Sequence, residues 1–403
     1  MKSFKESKSY ILKIFREALV GYTFNLCALI AGVIIAYKLK VFSISSWSVA
    51  VYPAILSARG IIGGLFSGRL STSLHLGTIF PRVFDNTKNF RMLFNAIITL
   101  TFVVGVIMSL FSMFFGNLFW RVPLTDFPKI LAVILATMTL GLLIGLITIG
   151  FSFVSFRQGL NPDIFLYPAV SAFSDILITS FYIGILSLFF SPNPLGLWLI
   201  VVLGSVLSIS AVYNFVKNCG EIVFMKTLKE SFATLIIVAV IVNFTGAALN
   251  GINARVEMTG ESQILVVYPA LIAIIGSVGA IVGSTATTKL AVGLLETSLS
   301  GIKNHIGEIL GAWTASLTIF TILSLLSLIL TGKFSLPLFV KFTFTLFLTN
   351  VVAVAVIIIV SFATSILTFQ RGLDPDNFVI PIESVLADGV TSVSLLAVLN
   401  ILV

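Results

Sequence analysis

Two aspartates, Asp175 and Asp388, lie in apolar surroundings at matching places of an internal repeat. Pro168, Ser171, Asp175 and Thr179 are spaced three, four and four residues apart, and Pro381, Ser384, Asp388 and Ser392 repeat that spacing. Such positions share one face of an α-helix. Each proline removes a backbone donor and frees a carbonyl about one turn earlier. Freed carbonyls, hydroxyls and a carboxylate make a wall of oxygen atoms, and two such walls suit a hard divalent cation. Mg²⁺ keeps several waters and is bound through one or two carboxylates. Zinc, copper and iron favour His, Cys or Met, and no apolar run holds a cluster of these. A single aspartate of this kind serves equally well in a helix–helix hydrogen bond or in a buried pair with Arg59. Two at symmetric places favour the ion.

The surrounding residues leave alternatives open. Glu383 has Val170 as its repeat counterpart and lies five residues before Asp388. Five residues turn about 140° around an ideal helix, so the two acids need not share a face. Glu383 reads as a proton or sodium site, or as a partner for Arg59. Asp163 and Asp376 follow prolines at helix starts, where the dipole favours negative charge. They cap those helices or form an acidic vestibule that concentrates cations. Gly60 and Gly276 begin small-residue faces, with Gly63 and Gly279 three residues on. Such faces let helices pack closely, or leave carbonyls exposed beside the ion path.

The elements that carry these residues must lie in lipid. Of 403 residues, 58% are hydrophobic and 10% charged, against about 25% charged in a soluble domain. A membrane helix needs about 20 mostly apolar residues. Eleven candidates follow, near 18–37, 47–67, 93–118, 130–155, 164–190, 195–216, 232–252, 264–284, 306–330, 338–367 and 377–402. Asp175 then sits about twelve residues into its helix, roughly 18 Å deep in a ~30 Å core. A charge at that depth is costly and marks a functional site by default.

The repeat organises these helices. FRQGLNPDIFLYPAVSAFSD at 156–175 matches FQRGLDPDNFVIPIESVLAD at 369–388, with nine of twenty positions identical at an offset of 213. VYPAILSARG at 51–60 matches VYPALIAIIG at 267–276 at an offset of 216. The expected fold is all-α and integral to the membrane. A first five-helix repeat spans 1–190, a linker helix 191–220 and a second repeat 221–403. Five is odd, so the linker restores the orientation and leaves the repeats parallel about a pseudo-two-fold along the membrane normal. An axial pore between them would be lined by both halves, and the fused pair is able to work as a monomer.

Charge sets the orientation. Lys and Arg gather in the loops that would share a side with the N-terminus, among them Arg69, Arg82, Arg157, Lys226 and Lys303. That bias places the N-terminus in the cytoplasm and the C-terminus outside the cell membrane. The net charge of +8 has no basic cluster with interleaved aromatics, so nucleic acid is not an expected partner. Cys27 and Cys219 lack CxxC spacing and suggest no disulfide or thiolate site. His75 and His305 read as isolated loop residues. No cleavable signal peptide is expected.

Pro53-Ala54-Ile55-Leu56, then Arg59-Gly60, then Arg69-Leu70-Ser71-Thr72 resembles the first signature of the solute carrier family 41 magnesium transporters, within the wider MgtE family. Asp374-Pro375-Asp376-Asn377 through Pro381 to Asp388, and Asn161-Pro162-Asp163 through Asp175, resemble the start of that family's pore-lining fifth helix. The resemblance implies two five-helix repeats around one Mg²⁺ pore, with ion-site acids at Asp175 and Asp388. Two features depart from it. Ile61 and Ser277 follow Gly60 and Gly276 where the family commonly has Gly-Asn. The large cytoplasmic sensor domains of bacterial members are not expected within this chain.

The expected function is therefore transport of Mg²⁺, with Mn²⁺ or Co²⁺ as further cargo, and not an enzyme activity. One alternative is a Na⁺- or H⁺-coupled carrier of another ion or small solute, using Glu383 or Arg59. Another is an intramembrane aspartyl hydrolase, although neither aspartate has a GxGD setting.

Overall fold

The computed structural model describes residues 2–75, 77–82, 85–157, 162–291, 293–371 and 376–402, with some helical side chains left aside. The described residues form helices joined by short turns and contain no strand. In chain order the helices are α1 (Lys2–Asn25), α2 (Ala28–Tyr37), α3 (Leu39–Phe42), α4 (Ser46–His75), α5 (Lys88–Trp120), α6 (Phe127–Arg157), α7 (Pro162–Phe189), α8 (Pro194–Asn218), α9 (Ile222–Thr259), α10 (Gln263–Ala291), α11 (Ile306–Leu330), α12 (Leu336–Gln370) and α13 (Asp376–Ile401). Ten of the eleven apolar segments read from the sequence each fall on one helix, and the segment near 18–37 is divided between α1 and α2. Among the described residues seven spans are long and apolar enough to cross a membrane: Tyr10–Tyr37, Lys88–Phe119, Leu124–Gly150, Pro194–Asn218, Gln263–Leu290, Leu299–Leu330 and Leu336–Gln370.

Local chemistry sets the helix ends. Thr87 caps α5 by accepting from the Phe90 amide, and Asn193 caps α8 ahead of Pro194. At the far end of α4, Gly77 takes a φ of 68°, its amide donates to the Leu74 carbonyl and the Thr78 amide to Ser73. At the end of α10, Gly293 takes 73°, with bonds to Leu290 and from Leu294 to Lys289. This is the Schellman ending, in which glycine accepts a left-handed conformation. The two glycines are repeat partners at the offset of 216.

The chain gathers into two compact units that cut across the sequence repeats. One is Tyr37–Asn250 and the other joins Met1–Ala36 to Gly251–Val403. The N-terminal helices thus pack with the second half, and most of α9 packs with the first.

Glycine makes both packings close. In the unit holding α1 and α2, a Cβ added to Gly32 would overlap the Val266 carbonyl of α10. In the other, a Cβ added to Gly246 of α9 would overlap the Ala50 carbonyl of α4. Ala50 and Val266 are repeat partners, each three residues before a helix proline, Pro53 or Pro269. Small residues at such crossings let helix backbones approach each other.

The linker helix α8 packs on α5 and α6 within its unit. The Thr139 hydroxyl of α6 donates to the Leu203 carbonyl at 3.0 Å, and Gly204 lies against Leu135. At one end of the same unit, Leu70, Leu74, Phe90, Leu93, Ile149 and Phe153 form a buried cluster that ties α4, α5 and α6 together.

Candidate ion-binding site

Each aspartate sits on a helix that packs against the proline-bearing helix of its own half: α7 on α4, and α13 on α10. The same tie positions both pairs. The Tyr52 hydroxyl of α4 shares a hydrogen bond with Thr179 of α7 at 2.8 Å. The Tyr268 hydroxyl of α10 shares one with Ser392 of α13, also at 2.8 Å. Tyr52 and Tyr268 are repeat partners, as are Thr179 and Ser392. All four side chains are buried. The two hydroxyls expected beside the ion therefore hold their helices against α4 and α10, one turn beyond each aspartate. Ser392 also donates to the Asp388 carbonyl at 2.6 Å.

The aspartates themselves differ. Asp175 pairs with Arg59 through Nη2 and Oδ1, and both side chains are largely enclosed, at 16% and 14% exposure. Burial makes each partner of such a pair costly to leave alone. At the place of Arg59 the second half has Ile275, fully buried. Asp388 is half-buried on α13.

The neighbouring glycines differ in the same sense. A Cβ added at Gly60 or Gly63 meets no described atom within 4 Å. A Cβ at Gly279, the partner of Gly63, would lie 2.5 Å from Glu383 Oε1 and 2.5 Å from Ile357 Cγ2. At Gly276 the nearest such contacts are Glu383 Oε1 and the Ala387 Cβ, both at 3.7 Å. Glu383 thus fills the glycine face of α10. Its Oε1 is buried and meets no hydrogen-bond partner among the described residues. Arg59, one of the partners expected for Glu383, pairs with Asp175 within its own unit.

The side chains of Asp163, Pro168, Ser171, Asp376, Pro381 and Ser384 lie outside the described ones. Among the described residues no three His, Cys, Asp or Glu side chains converge as a ready-made metal cage. An ion that keeps its waters does not need such a cage.

One polar cluster was not foreseen. His305 is not an isolated loop residue: it is fully buried where α11 begins. Its Nε2 lies 3.0 Å from the Val282 carbonyl and 3.1 Å from the Thr285 hydroxyl. Glu308, 1% exposed, pairs with Lys289 of α10 and accepts from the Tyr10 hydroxyl of α1 at 2.6 Å. A glutamate in the first turn of α11 was the available signal.

The model of the MgtE divalent cation transporter family matches residues 52–185 and again residues 268–398. The chain belongs to the MgtE family of divalent cation transporters. The matches start 216 residues apart and end 213 apart, reproducing the two offsets of the internal repeat. This MgtE-family chain is a multi-pass membrane protein, and its family is one of transporters rather than enzymes. Neither a curated protein nor a solved structure matches it.

Proposed function

We propose that this MgtE-family protein carries Mg²⁺ across the cell membrane, with Asp175 and Asp388 as the carboxylates on its path. The family match to both halves carries this reading. The cargo follows from the donor set. Both aspartates share their helix faces with serine or threonine in the sequence, whereas zinc, copper and iron favour His, Cys or Met. Mn²⁺ and Co²⁺ share enough of this chemistry to follow at lower preference.

Thr179 and Ser392 act one step back from the ion, since each fixes its helix through a tyrosine. The N-terminus is cytoplasmic on the charge bias of the loops. The test is Mg²⁺ flux into proteoliposomes, comparing wild type with Asp175→Asn and Asp388→Asn, each confirmed folded. Loss of flux in both variants is expected. Undiminished flux in either removes that aspartate from the path, and a wild type that carries no Mg²⁺ overturns the cargo.

A further inference from the structure

We propose that Arg59 is a tethered cation that competes with the transported ion for Asp175, so that the first-half aspartate opens only when Arg59 withdraws. The inference rests on the reading of Asp175 as a carboxylate on the ion path.

Three observations carry it. Arg59 Nη2 is bonded to Asp175 Oδ1 in a largely enclosed place. A divalent ion that binds this carboxylate through its inner or hydrated shell must share it with the guanidinium or displace it. The grip is also not the strongest that arginine can make. Arg59 Nε is buried without an acceptor among the described residues, and the side-on fork to Asp175 through Nε and Nη2 is not formed. Paired parallel bonds are what give arginine–carboxylate contacts their full strength. Finally, the described residues leave room beside the arginine. Gly60 follows Arg59 directly and Gly63 lies one turn on, and around both no described atom comes within 4 Å of an added Cβ. A side chain with several rotatable bonds can use that space. The equivalent face of the second half is closed by Glu383 and Ile357 against Gly279.

The second half shows what the arginine adds. There Ile275 replaces it, fully buried, and the acids Glu383 and Asp388 lie on one helix. A chain built only to bind a cation through two equal aspartates gains nothing from a positive charge on one of them. An arginine at that point instead sets how much cation is needed to open the site.

The arithmetic gives the sign. A site that is competent only a fraction of the time shows an apparent affinity weakened by that fraction. Removing the competitor must therefore lower the half-saturating Mg²⁺ concentration. A tenfold drop corresponds to an aspartate open about one-tenth of the time. A purely structural role for the pair predicts a different pattern: less folded protein and a lower maximal flux, with half-saturation unchanged.

The experiment uses the full chain in proteoliposomes and reads Mg²⁺ flux against Mg²⁺ concentration for wild type, Arg59→Gln and Arg59→Lys. Thermal unfolding of the same purified proteins, titrated with Mg²⁺, supplies a readout independent of flux. We expect Arg59→Gln to lower half-saturation about tenfold in both measurements. Arg59→Lys, which keeps a charge but cannot span the contact as the planar group does, is expected to fall between. It also decides the matter if Arg59→Gln does not fold. In the double variant Arg59→Gln with Asp175→Asn, whose flux is expected to be lost, the gain should vanish from the Mg²⁺-dependent unfolding. Unchanged or raised half-saturation in a folded Arg59 variant overturns the proposal. A wild type without Mg²⁺ flux or Mg²⁺-dependent unfolding overturns the transport reading itself, so the two failures are distinguishable.

Discussion

Gly279 of α10 and Glu383 of α13 are packed so closely that a methyl group on the glycine would lie 2.5 Å from the carboxyl oxygen. On the other side the same methyl would meet Ile357 of α12 at 2.5 Å. Three helices of one unit therefore meet at a position that only glycine fits. Gly63, its repeat partner on α4, meets no described atom within 4 Å.

The two glycines should answer the same substitution with opposite signs. Gly279→Ala forces side chains or helices apart, at about 1–3 kcal/mol for an overpacked core. Gly63→Ala adds a helix-favouring residue where no described atom stands in the way, worth roughly 0.5–1 kcal/mol in its favour. Thermal unfolding in detergent separates them. Adding Glu383→Ala should relieve Gly279→Ala, because neighbours in contact do not act additively. Equal effects of the two alanines would refute the packing difference.

The tie between Tyr10 and Glu308 makes a second prediction. Residues 298 positions apart join α1 to α11 through a 2.6 Å hydrogen bond, and Lys289 completes the cluster around the buried Glu308 carboxylate. Tyr10→Phe removes one donor to a charged acceptor, worth about 1.5–3 kcal/mol. The figure falls toward the lower end because Tyr10 is partly exposed. Glu308→Gln should do more, since it leaves Lys289 without its counter-charge. Hydrogen exchange should rise along α1 in both variants and leave α5 and α6 unchanged. Uniform loosening of the whole chain would show that this tie does not hold α1 in particular.

Some of this was legible in the residues and some was not. Apolar runs of membrane length, broken by short polar turns, located the long helices from α4 onward, but not the break between α1 and α2 or the short α3. Two constant offsets exposed the repeat, and the Gly77 and Gly293 endings show how fully local structure follows it. Partner choice was not legible. An apolar face does not say which neighbour covers it, so the packing of α1 and α2 with the second half left no mark in hydropathy. Arg59 was visible as a partner for either Asp175 or Glu383, and only geometry decides between them. Thr179 and Ser392 share the aspartate face by spacing, yet tyrosines on neighbouring helices claim their hydroxyls. His305 and Glu308 sit at a helix start, where polar residues resemble an exposed turn until Lys289 is seen paired with Glu308.

The exchange of N-terminal helices depends on two glycines, and that dependence makes the strictest prediction. At Gly32 and Gly246 the obstacle to a methyl is a backbone carbonyl, of Val266 and Ala50 respectively. A side chain can rotate away from a new methyl group. A carbonyl inside a helix cannot move without its helix. Gly32→Ala and Gly246→Ala should therefore each destabilise more than Gly279→Ala, above the roughly 1–3 kcal/mol of ordinary overpacking. Because Ala50 and Val266 are repeat partners, the two losses should also be similar in size. Expression level and thermal unfolding of the purified variants test both statements. If either alanine is tolerated without loss, the helices at that crossing do not approach as closely as the backbone distances require, and the exchanged packing of that half is wrong.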